Sequence, residues 1–382
     1  MKEPSIVTTN ENNSNRKYYI DNIRWACILL LVPFHTAMAW NCWGEGNYIW
    51  FSKNKVLSSI IISISPWYMS LLFVLAGMST FYSLKKRSYR QFIKERFMKL
   101  LLPLITGILT VVPLMTYYAD KYHSNYDGNF FEHYQVFFTK FTELTGYDGG
   151  WTPAHLWFLL YLFIISLVGI GIIYLQRRSI PKLSKYNFLS SKKELSKKQL
   201  NIFLYMLGLL PIIFSPVINI AGKSVGSYLV LFLLGYYLFS KEDMMACVVK
   251  NRWINLGIML IVDVFDVYMF IWTDNANSIV NFIIMYFTCW FGILTVLGFS
   301  KLHFNQHNKI TRYLSSRSFA FYIFHFIWII LIQFYLSIYI SNTILLYLIP
   351  VIGAYVMTFL TMEIVVRIPA INYLFQIKIK KY

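Results

Sequence analysis

The amino-acid sequence predicts an all-α, polytopic integral membrane protein with about ten transmembrane helices and both termini in the cytoplasm. Of its 382 residues, 57% are hydrophobic, and the mean hydropathy is +0.51. Water-soluble helices need polar faces, and most of the long apolar segments here have none. The basic residues lie in alternate loops, so the net charge of +18 indicates membrane topology and not nucleic-acid binding.

Ten apolar runs of about twenty residues are long enough to cross a bilayer as helices. The predicted spans are residues 23–43, 56–82, 97–118, 155–175, 201–220, 224–240, 253–273, 278–300, 318–340 and 343–366. The division between the fifth and sixth spans is the weakest prediction, because only Ala221, Gly222 and Lys223 separate them. The other boundaries are expected to hold within a few residues.

The distribution of Lys and Arg sets the predicted orientation. The two tails and the loops 83–96, 176–200, 241–252 and 301–317 hold 28 of the 35 basic residues. Cytoplasmic loops carry such an excess, so we expect both termini in the cytoplasm and a multi-pass protein of the cell membrane. The predicted domains are a disordered cytoplasmic tail (1–17), one transmembrane domain (18–370) and a basic cytoplasmic tail (371–382).

Two loops each have two possible roles, and the cysteines predict neither a metal site nor disulfide bonds. The outer loop 119–154 is either a lid over an external opening or a solvated connector, and the basic loop 176–200 contacts anionic lipid or attracts an anionic cofactor. The four cysteines lack metal-ligand spacing, so neither zinc nor a disulfide framework is indicated. They are Cys27, Cys42, Cys247 and Cys289. We expect no metal and no permanently bound cofactor.

The first predicted span carries two ionisable residues, and this is the strongest indication of function. Arg24 and His35 are eleven residues apart, so a helix brings them within roughly 20° of one face and about 16 Å apart. Asp21 lies one turn before Arg24 and is placed to pair with it. Ionisable groups in membrane spans are rare and usually functional. The structural alternative is a buried histidine satisfied by a neighbouring carbonyl.

Two further histidines suggest a polar route across the membrane. His325, one turn after Tyr322, is expected roughly 10 Å below the cytoplasmic surface, and His155 is expected at the external end of span four. If their faces converge with that of His35, these side chains line a passage from the cytoplasm to the exterior.

Span seven carries two carboxylates, Asp263 and Asp266, about one helical turn apart. Two such groups balance a buried cation, relay protons, or form hydrogen bonds between helices. The sequence leaves these three roles open.

Five short motifs, in order, resemble the acyltransferase-3 family of integral membrane O-acyltransferases. They are DNIRWACILLLVPFHTAMAW (21–40), FVLAGM (73–78), RFMKLLLP (96–103), HLWFL (155–159) and FYIFH (321–325). Two positions depart from the family pattern: Ala76 stands where serine is usual, and Lys99 where arginine is frequent. The segment around FHTAMAWNCWGEGNYIW is most similar to the family branch of the glucan biosynthesis protein C type.

The resemblance implies transfer of an acyl group, acetyl or succinyl, from a cytoplasmic acyl-CoA to a hydroxyl of an extracytoplasmic carbohydrate. An alcohol needs a base to attack a thioester, and an imidazole can serve, so His35 is the candidate base or a transient acyl carrier. Arg24, with its partner Asp21, either holds donor phosphates or is structural.

The remaining candidate residues bind one of the two substrates. For the donor they are Arg96, Lys99, Tyr322 and His325, the first two on phosphate and the last two on the thioester or its oxyanion. For the sugar acceptor they are His155, Trp157 and Glu45. The expected partners are acyl-CoA, a glycan and membrane lipid, with no nucleic acid.

A secondary transporter or channel is the principal alternative, because His, Asp and Arg at mid-membrane are equally natural there. The order of the motifs favours the enzyme, and a transporter would show substrate flux without a covalent product. A purely interacting scaffold is disfavoured, since its helices have no need of buried charges.

Overall fold

A computed structural model describes residues 16–148, 150–179, 197–273, 276 and 278–377, and about 80% of the chain is helical. The α-helices are α1 Tyr18–Ala37, α2 Lys55–Leu84, α3 Tyr89–Arg96, α4 Leu102–His123, α5 Phe130–Thr139, α6 Trp157–Ser179, α7 Lys197–Met206, α8 Leu209–Ile213, α9 Val225–Leu234, α10 Glu242–Lys250, α11 Arg252–Val267, α12 Ile279–His303, α13 Lys309–Tyr339, α14 Thr343–Arg367 and α15 Pro369–Phe375. Turns of π-helix extend α3, α9 and α11, at Phe97–Leu101, Gly235–Phe239 and Tyr268–Trp272.

Eight helical segments of the described chain are long and apolar enough to cross a membrane, which agrees with an all-α polytopic protein. They are Tyr18–Trp40, Lys55–Leu84, Tyr89–His123, Ala154–Arg178, Arg252–Trp272, Ile279–His303, Lys309–Tyr339 and Thr343–Arg367. Two shorter apolar segments, Lys198–Ile213 and Val225–Phe239, occupy the places of the fifth and sixth predicted spans.

The short segments are separated by a two-stranded antiparallel hairpin, β1 (Asn219–Ile220) and β2 (Lys223–Ser224). Its turn residues Ala221 and Gly222 both have positive φ, 49° and 73°, as a tight two-residue hairpin turn requires. The turn therefore lies where the sequence placed it, and the hairpin is a small exception to the all-α prediction.

Prolines inside two long helices each free a carbonyl, and a tyrosine from another helix satisfies it. Pro33 in α1 cannot donate to Leu29, and the Tyr355 hydroxyl of α14 donates to that carbonyl at 2.8 Å. Pro113 in α4 similarly frees the carbonyl of Leu109, which accepts from the Tyr134 hydroxyl at 2.8 Å. Because lipid offers no water to such groups, these tyrosines make the prolines tolerable.

The helices α2 and α9 cross with their backbones in contact, because glycine is present on both sides. A Cβ on Gly77 would lie 1.9 Å from the carbonyl oxygen of Phe232, and one on Gly235 would lie 2.1 Å from that of Val74. Small residues at such a crossing let membrane helices pack closely without a hydrophobic driving force.

We call the end of the bundle where α1 begins the N-terminal face, and the other end the opposite face. At the opposite face, residues 124–148 and 150–153 pack onto the α1–α2 connection. The Tyr48 hydroxyl donates to the carbonyl of Gly146 at 3.1 Å, and His123 Nε2 donates to that of Asn47 at 2.8 Å. The outer loop is therefore a packed layer with its own helix, α5, and not a solvated connector.

The ends of the chain also contact the bundle. Arg16 and Lys17, from the predicted N-terminal tail, form ion pairs with Asp21 and Glu242. Residues 369–375 form α15, whose Phe375 ring lies 5.0 Å from that of Phe324 in α13. Residues 1–15, 180–196 and 378–382 lie outside the described residues. They include most of the predicted N-terminal tail and of the basic loop 176–200, and the last five residues of the predicted C-terminal tail.

Candidate active site

A cavity of about 410 Å³ opens at the N-terminal face between α1, α2, α6, α13 and the π turn before α4. Its lining changes with depth. Near the helix ends it is charged, with Arg16, Asp21, Arg24, Arg96, Lys99 and Arg312. Further in it is mostly apolar, with Ile28, Leu72, Ala76, Phe158, Leu159 and Tyr322. A site with five cations and one acidic residue favours an anionic ligand whose inner part is apolar.

Arg24 is fixed at the wall of this cavity by two helices. One guanidinium nitrogen donates to Asp21 at 2.8 Å, as the sequence predicted, and the other donates to the Ser79 hydroxyl of α2 at 2.9 Å. Asp21 also accepts from Arg16 at 2.6 Å. Asp21 is thus shared by two arginines, and its charge offsets only part of theirs.

Arg96 and Lys99 enter the same cavity from the α3–α4 segment. The Arg96 guanidinium lies over the Phe92 ring at 4.3 Å, and its buried Nε has no hydrogen-bond partner in the described chain. Lys99 pairs with Glu95 at 2.6 Å. Both predicted donor residues therefore converge with Arg24, although their spans are separate in sequence.

Sequence reasoning missed Arg16, Ser79 and Arg312, which line the same cavity. Arg16 lies in the predicted N-terminal tail and Arg312 in the predicted loop 301–317, where basic residues indicate only the topology. Ser79 is a polar residue near the end of an apolar span, which is a usable signal, but only its contact with Arg24 distinguishes it.

Beyond the inner end of the cavity, three histidines from different helices form one cluster. The rings of His35 and His325 have centroids 5.4 Å apart, and those of His155 and His325 are 5.5 Å apart. His325 is fully buried and His155 is 4% exposed, while His35 keeps some accessible surface. Phe326 stacks on His35 at 4.3 Å and closes one side of the cluster.

This cluster corrects the predicted series of depths. The three rings lie beside one another, and not at three successive depths, because the neighbouring centroids are 5.4 and 5.5 Å apart. Helix α13 begins at Lys309, sixteen residues or about 24 Å along its axis before His325, so it starts before the predicted span 318–340. His155 does not lie at the surface, because the turn Ala154–Leu156 enters the bundle beside Ile323. Hydropathy reveals neither feature, since the first turns of α13 are polar and the turn before α6 is buried by contacts distant in sequence.

Backbone hydrogen bonds fix the protonation pattern of two of these rings. His325 Nδ1 lies 2.8 Å from the carbonyl oxygen of Tyr322, and His155 Nε2 lies 3.0 Å from that of Ile323. A carbonyl can only accept, so these nitrogens carry the protons. The other nitrogens, His325 Nε2 and His155 Nδ1, are buried and have no partner among the described residues. Each neutral ring therefore presents a bare basic nitrogen.

Tyr322 separates the cavity from the histidines. It lines the cavity, and its ring centroid lies 5.9 Å from that of His155 and 6.2 Å from that of His325. Its hydroxyl donates to the carbonyl of His155 at 2.5 Å, which ties α13 to the turn before α6. None of the three histidines is among the described residues that line the cavity.

The predicted acceptor residues do not form one group. His155 belongs to the buried cluster, whereas Trp157 and Glu45 lie nearer the opposite face. The Lys223 ammonium lies over the Trp157 ring at 5.3 Å, and Glu45 accepts from the Trp43 indole at 2.8 Å. Burial lowers the pKa of Lys223, and the nearby carboxylates of Glu45 and Glu143 partly oppose that shift. Lys223 thus lies over Trp157 and within electrostatic range of Glu45, a proximity that could not be predicted from the sequence.

The two span-seven carboxylates lie elsewhere, at the lipid-facing side of the bundle. Asp263 accepts from the Ser63 hydroxyl of α2 at 2.7 Å, and Asp266 is buried close to Thr288 of α12. Asp263 lines a separate groove of about 620 Å³ with Ser59 and Trp272. For Asp263 this arrangement favours hydrogen bonding between helices among the three predicted roles. Both carboxylate oxygens of Asp266 are buried without a hydrogen-bond partner in the described chain, so its role stays open.

Comparison with known proteins agrees with the geometry. The acyltransferase domain of the acyltransferase-3 family matches residues 17–363 of the chain. Proteins named glucans biosynthesis protein C from Salmonella heidelberg (strain SL476), Salmonella typhi and Salmonella typhimurium are each 24% identical to it over 391 residues. Each alignment covers 94% of this chain and 94% of the relative. No solved structure matches the chain.

Proposed function

Since the chain belongs to the acyltransferase-3 family, we propose that this membrane acyltransferase moves an acetyl or succinyl group from a cytoplasmic acyl-CoA to a hydroxyl of an extracytoplasmic carbohydrate. The observation that supports the donor is the cavity whose mouth is cationic and whose inner wall is apolar. The relatives carry a name in glucan biosynthesis, which favours a glucan as acceptor.

The proposal includes the orientation of the chain. With ten spans, counting the two short segments, and both termini in the cytoplasm, the N-terminal face opens to the cytoplasm, where acyl-CoA is present. The opposite face then meets the carbohydrate. The excess of Lys and Arg in the loops of the N-terminal face supports this orientation in the cell membrane.

On the donor side, the phosphates of acyl-CoA bind Arg24, Arg96 and Lys99. Guanidinium groups bind phosphate through two parallel hydrogen bonds, and Arg96 has a buried Nε that lacks a protein partner. Tyr322, at the inner end, faces the thioester, and His325 lies behind it, with ring centroids 6.2 Å apart. No cofactor is bound permanently, and acyl-CoA acts as a substrate.

On the acceptor side, the sugar contacts Trp157 and Glu45, with Lys223 beside them. Aromatic rings present a flat apolar surface to a sugar ring, and charged groups bind its hydroxyls. His155 is also predicted from the sequence to bind the acceptor, but it is buried against His325. It therefore acts on the acceptor through the histidine cluster and not by direct contact.

His35 takes the proton of the attacking hydroxyl, or carries the acyl group transiently. It is the most exposed member of the cluster, and within the described chain it makes no hydrogen bond that would block its nitrogens. As a base, it receives the proton while the sugar oxygen attacks the thioester carbon. It then returns the proton to the departing thiolate, so the catalyst is unchanged after each transfer.

The test compares surface glycans from cells that lack the protein, express it, or express His35→Ala. Mass spectrometry should find an ester only with the wild type, and its mass identifies the acyl group. We expect His35→Ala to lower transfer at least about 100-fold, because it removes the base.

The matched control is His303→Ala, an exposed histidine at the end of α12, which should transfer normally. Both variants are checked for equal amounts in the membrane. Full transfer by His35→Ala, or an unchanged glycan on deletion, would contradict the proposal. Substrate flux without a covalent product would instead indicate the transporter.

A further inference from the structure

We infer that His325 is a positioning residue for His35: its bare Nε2 accepts a hydrogen bond from the protonated His35 ring during acyl transfer. This inference rests on the proposed function, in which His35 is the base. In this role His325 does not contact the donor. The inference follows from the hydrogen bonds of the cluster, which show which ring nitrogens carry a hydrogen.

The first step concerns the hydrogen-bonding capacity of His325. Its Nδ1–H is held by the carbonyl of Tyr322 at 2.8 Å, so the only remaining nitrogen is Nε2, which in the neutral ring has no hydrogen. A neutral His325 therefore cannot donate to an oxyanion. It can accept, and its Nε2 is fully buried without a partner in the described structure.

The second step concerns what His35 meets when it gains a proton. The aromatic neighbours of its ring are Phe34, Phe326 and His325. Among the described residues no carboxylate forms a hydrogen bond or an ion pair with His35. A protonated imidazole in such surroundings needs an acceptor, as the histidine of a Ser-His-Asp triad needs its aspartate. Of the rings in contact with His35, that of His325 offers one.

The third step concerns distance and rigidity. The centroids of the two rings are 5.4 Å apart with planes inclined by 41°, so a rotation of the His35 side chain brings an N–H toward Nε2. His325 itself is held in place, because Tyr322 and Ile323 are bound to His155 on the neighbouring turn. A fixed acceptor orients a mobile base.

The chemistry balances without another reactant. The sugar O–H bond breaks as its proton passes to the open nitrogen of His35, and the new C–O bond forms at the thioester carbonyl. The opposite N–H of the same ring donates to His325 Nε2 while the positive charge exists. The C–S bond then breaks and the proton leaves His35 for the thiolate, so His325 never changes its own proton count.

Two substitutions at one position separate acceptance by Nε2 from mere packing. His325→Asn keeps an N–H donor near the Tyr322 carbonyl but places nothing at Nε2. His325→Gln extends further and can place an amide oxygen, an acceptor, near the Nε2 position. The assay uses membrane vesicles that contain each full-length variant and either radiolabelled acetyl-CoA or succinyl-CoA, whichever labels glycan with the wild type.

We expect His325→Asn to lower kcat about 10- to 100-fold, the loss of a hydrogen bond to a charged group, with the KM for the donor changed by less than about threefold. His325→Gln should recover at least about tenfold of that loss, since it restores an acceptor. The same pair at the exposed His303, His303→Asn and His303→Gln, should both match the wild type.

Equal kcat values for His325→Asn and His325→Gln would overturn the inference, as would a raised KM with unchanged kcat, which indicates donor binding. If His325→Asn does not accumulate in the membrane, His325→Gln decides alone: a folded but inactive protein contradicts the role. These outcomes are read beside His35→Ala. An inactive His35→Ala with unaffected His325 variants refutes only this inference, whereas an active His35→Ala refutes the proposed function.

Discussion

Two clusters of ionisable side chains lie within the membrane-spanning helices, and their surroundings differ. The histidine cluster, made of His35, His155 and His325, lies at the centre of the bundle between α1, α6 and α13. The aspartate pair, Asp263 and Asp266, lies on α11 at the rim. In their most apolar stretches, 61% of the α13 residues are buried but only 17% of those of α11.

The difference shows that an ionisable residue in a membrane span is not by itself a functional site. The ring of Tyr322 separates the histidines from a cavity that opens at the N-terminal face and is lined by five cations. The aspartates face a serine, a threonine and a lipid-facing groove. Proximity to the cationic cavity, and not the presence of an ionisable group in a span, distinguishes the candidate catalytic histidines from the aspartate pair.

After the loss expected for His35→Ala, the next largest effect is expected at Arg24, which lines the cavity on the same helix as His35. Arg24→Ala should raise the KM for acyl-CoA about 10- to 100-fold with a smaller change in kcat, because a charge-assisted contact with phosphate is lost. Initial rates in membrane vesicles at varied donor concentration measure both constants.

Arg24→Lys and Asp21→Asn serve as comparisons for that prediction. Lysine keeps the charge but not the two-pronged geometry, so its KM should be intermediate. If Arg24 serves only to pair with Asp21, then Asp21→Asn will reproduce the Arg24→Ala kinetics in full. A fall in kcat at constant KM would also count against phosphate binding.

The apolar spans and the residues on one helix face could be predicted from the sequence, but contacts between helices could not. Periodicity placed Asp21, Arg24 and His35 together, and the first pair is bonded as expected. The meeting of His155 with His325 depends on a buried turn before α6, which has no hydropathy signal. The joining of Lys223 to Trp157 depends on a hairpin that returns to a distant helix.

A moderate effect on stability, without one on activity, is expected for the aspartate pair. Asp263→Asn and Asp266→Asn should each transfer acyl groups within about twofold of the wild type, since neither contacts the cavity or the histidines. The hydrogen bond from Ser63 to Asp263 should contribute about 0.5–1.5 kcal/mol. Thermal unfolding in detergent should therefore show similar losses for Ser63→Ala and Asp263→Asn.

The aspartate variants also test whether the aspartate pair differs in role from the histidine cluster. A more than tenfold loss of transfer in well-folded Asp263→Asn or Asp266→Asn would place the pair on a proton route, and the distinction between central and peripheral clusters would fail. The vesicle assay with labelled donor measures this directly, and the amount of protein in the membrane controls for folding.

The smallest expected effect concerns Glu242, an exposed carboxylate outside the membrane spans. It shows what an ion pair contributes where water screens it. It pairs with Lys17 at 2.5 Å and Lys301 at 2.6 Å, and these two hydrogen bonds lower its pKa from 4.5 to about 2. A lowered pKa means that the pairs stabilise the fold above about pH 4.5, and that this contribution disappears as the pH falls toward 2. The side chain is 57% exposed, so solvent screening limits the contribution to below about 1 kcal/mol.

Glu242→Gln should therefore unfold at a slightly lower temperature than the wild type at pH 7, and the two should converge as the pH falls toward 2. High salt should reduce the difference at pH 7, because exposed ion pairs are screened. A difference that persists at low pH would mean that the neutral hydrogen bonds, and not the charge, join α10 to Lys17 and α12. In that case Glu242, although exposed to water, would hold its helix through hydrogen bonds, as Asp263 does within the membrane-spanning helices. Only the histidine cluster would then differ from both carboxylates in its role.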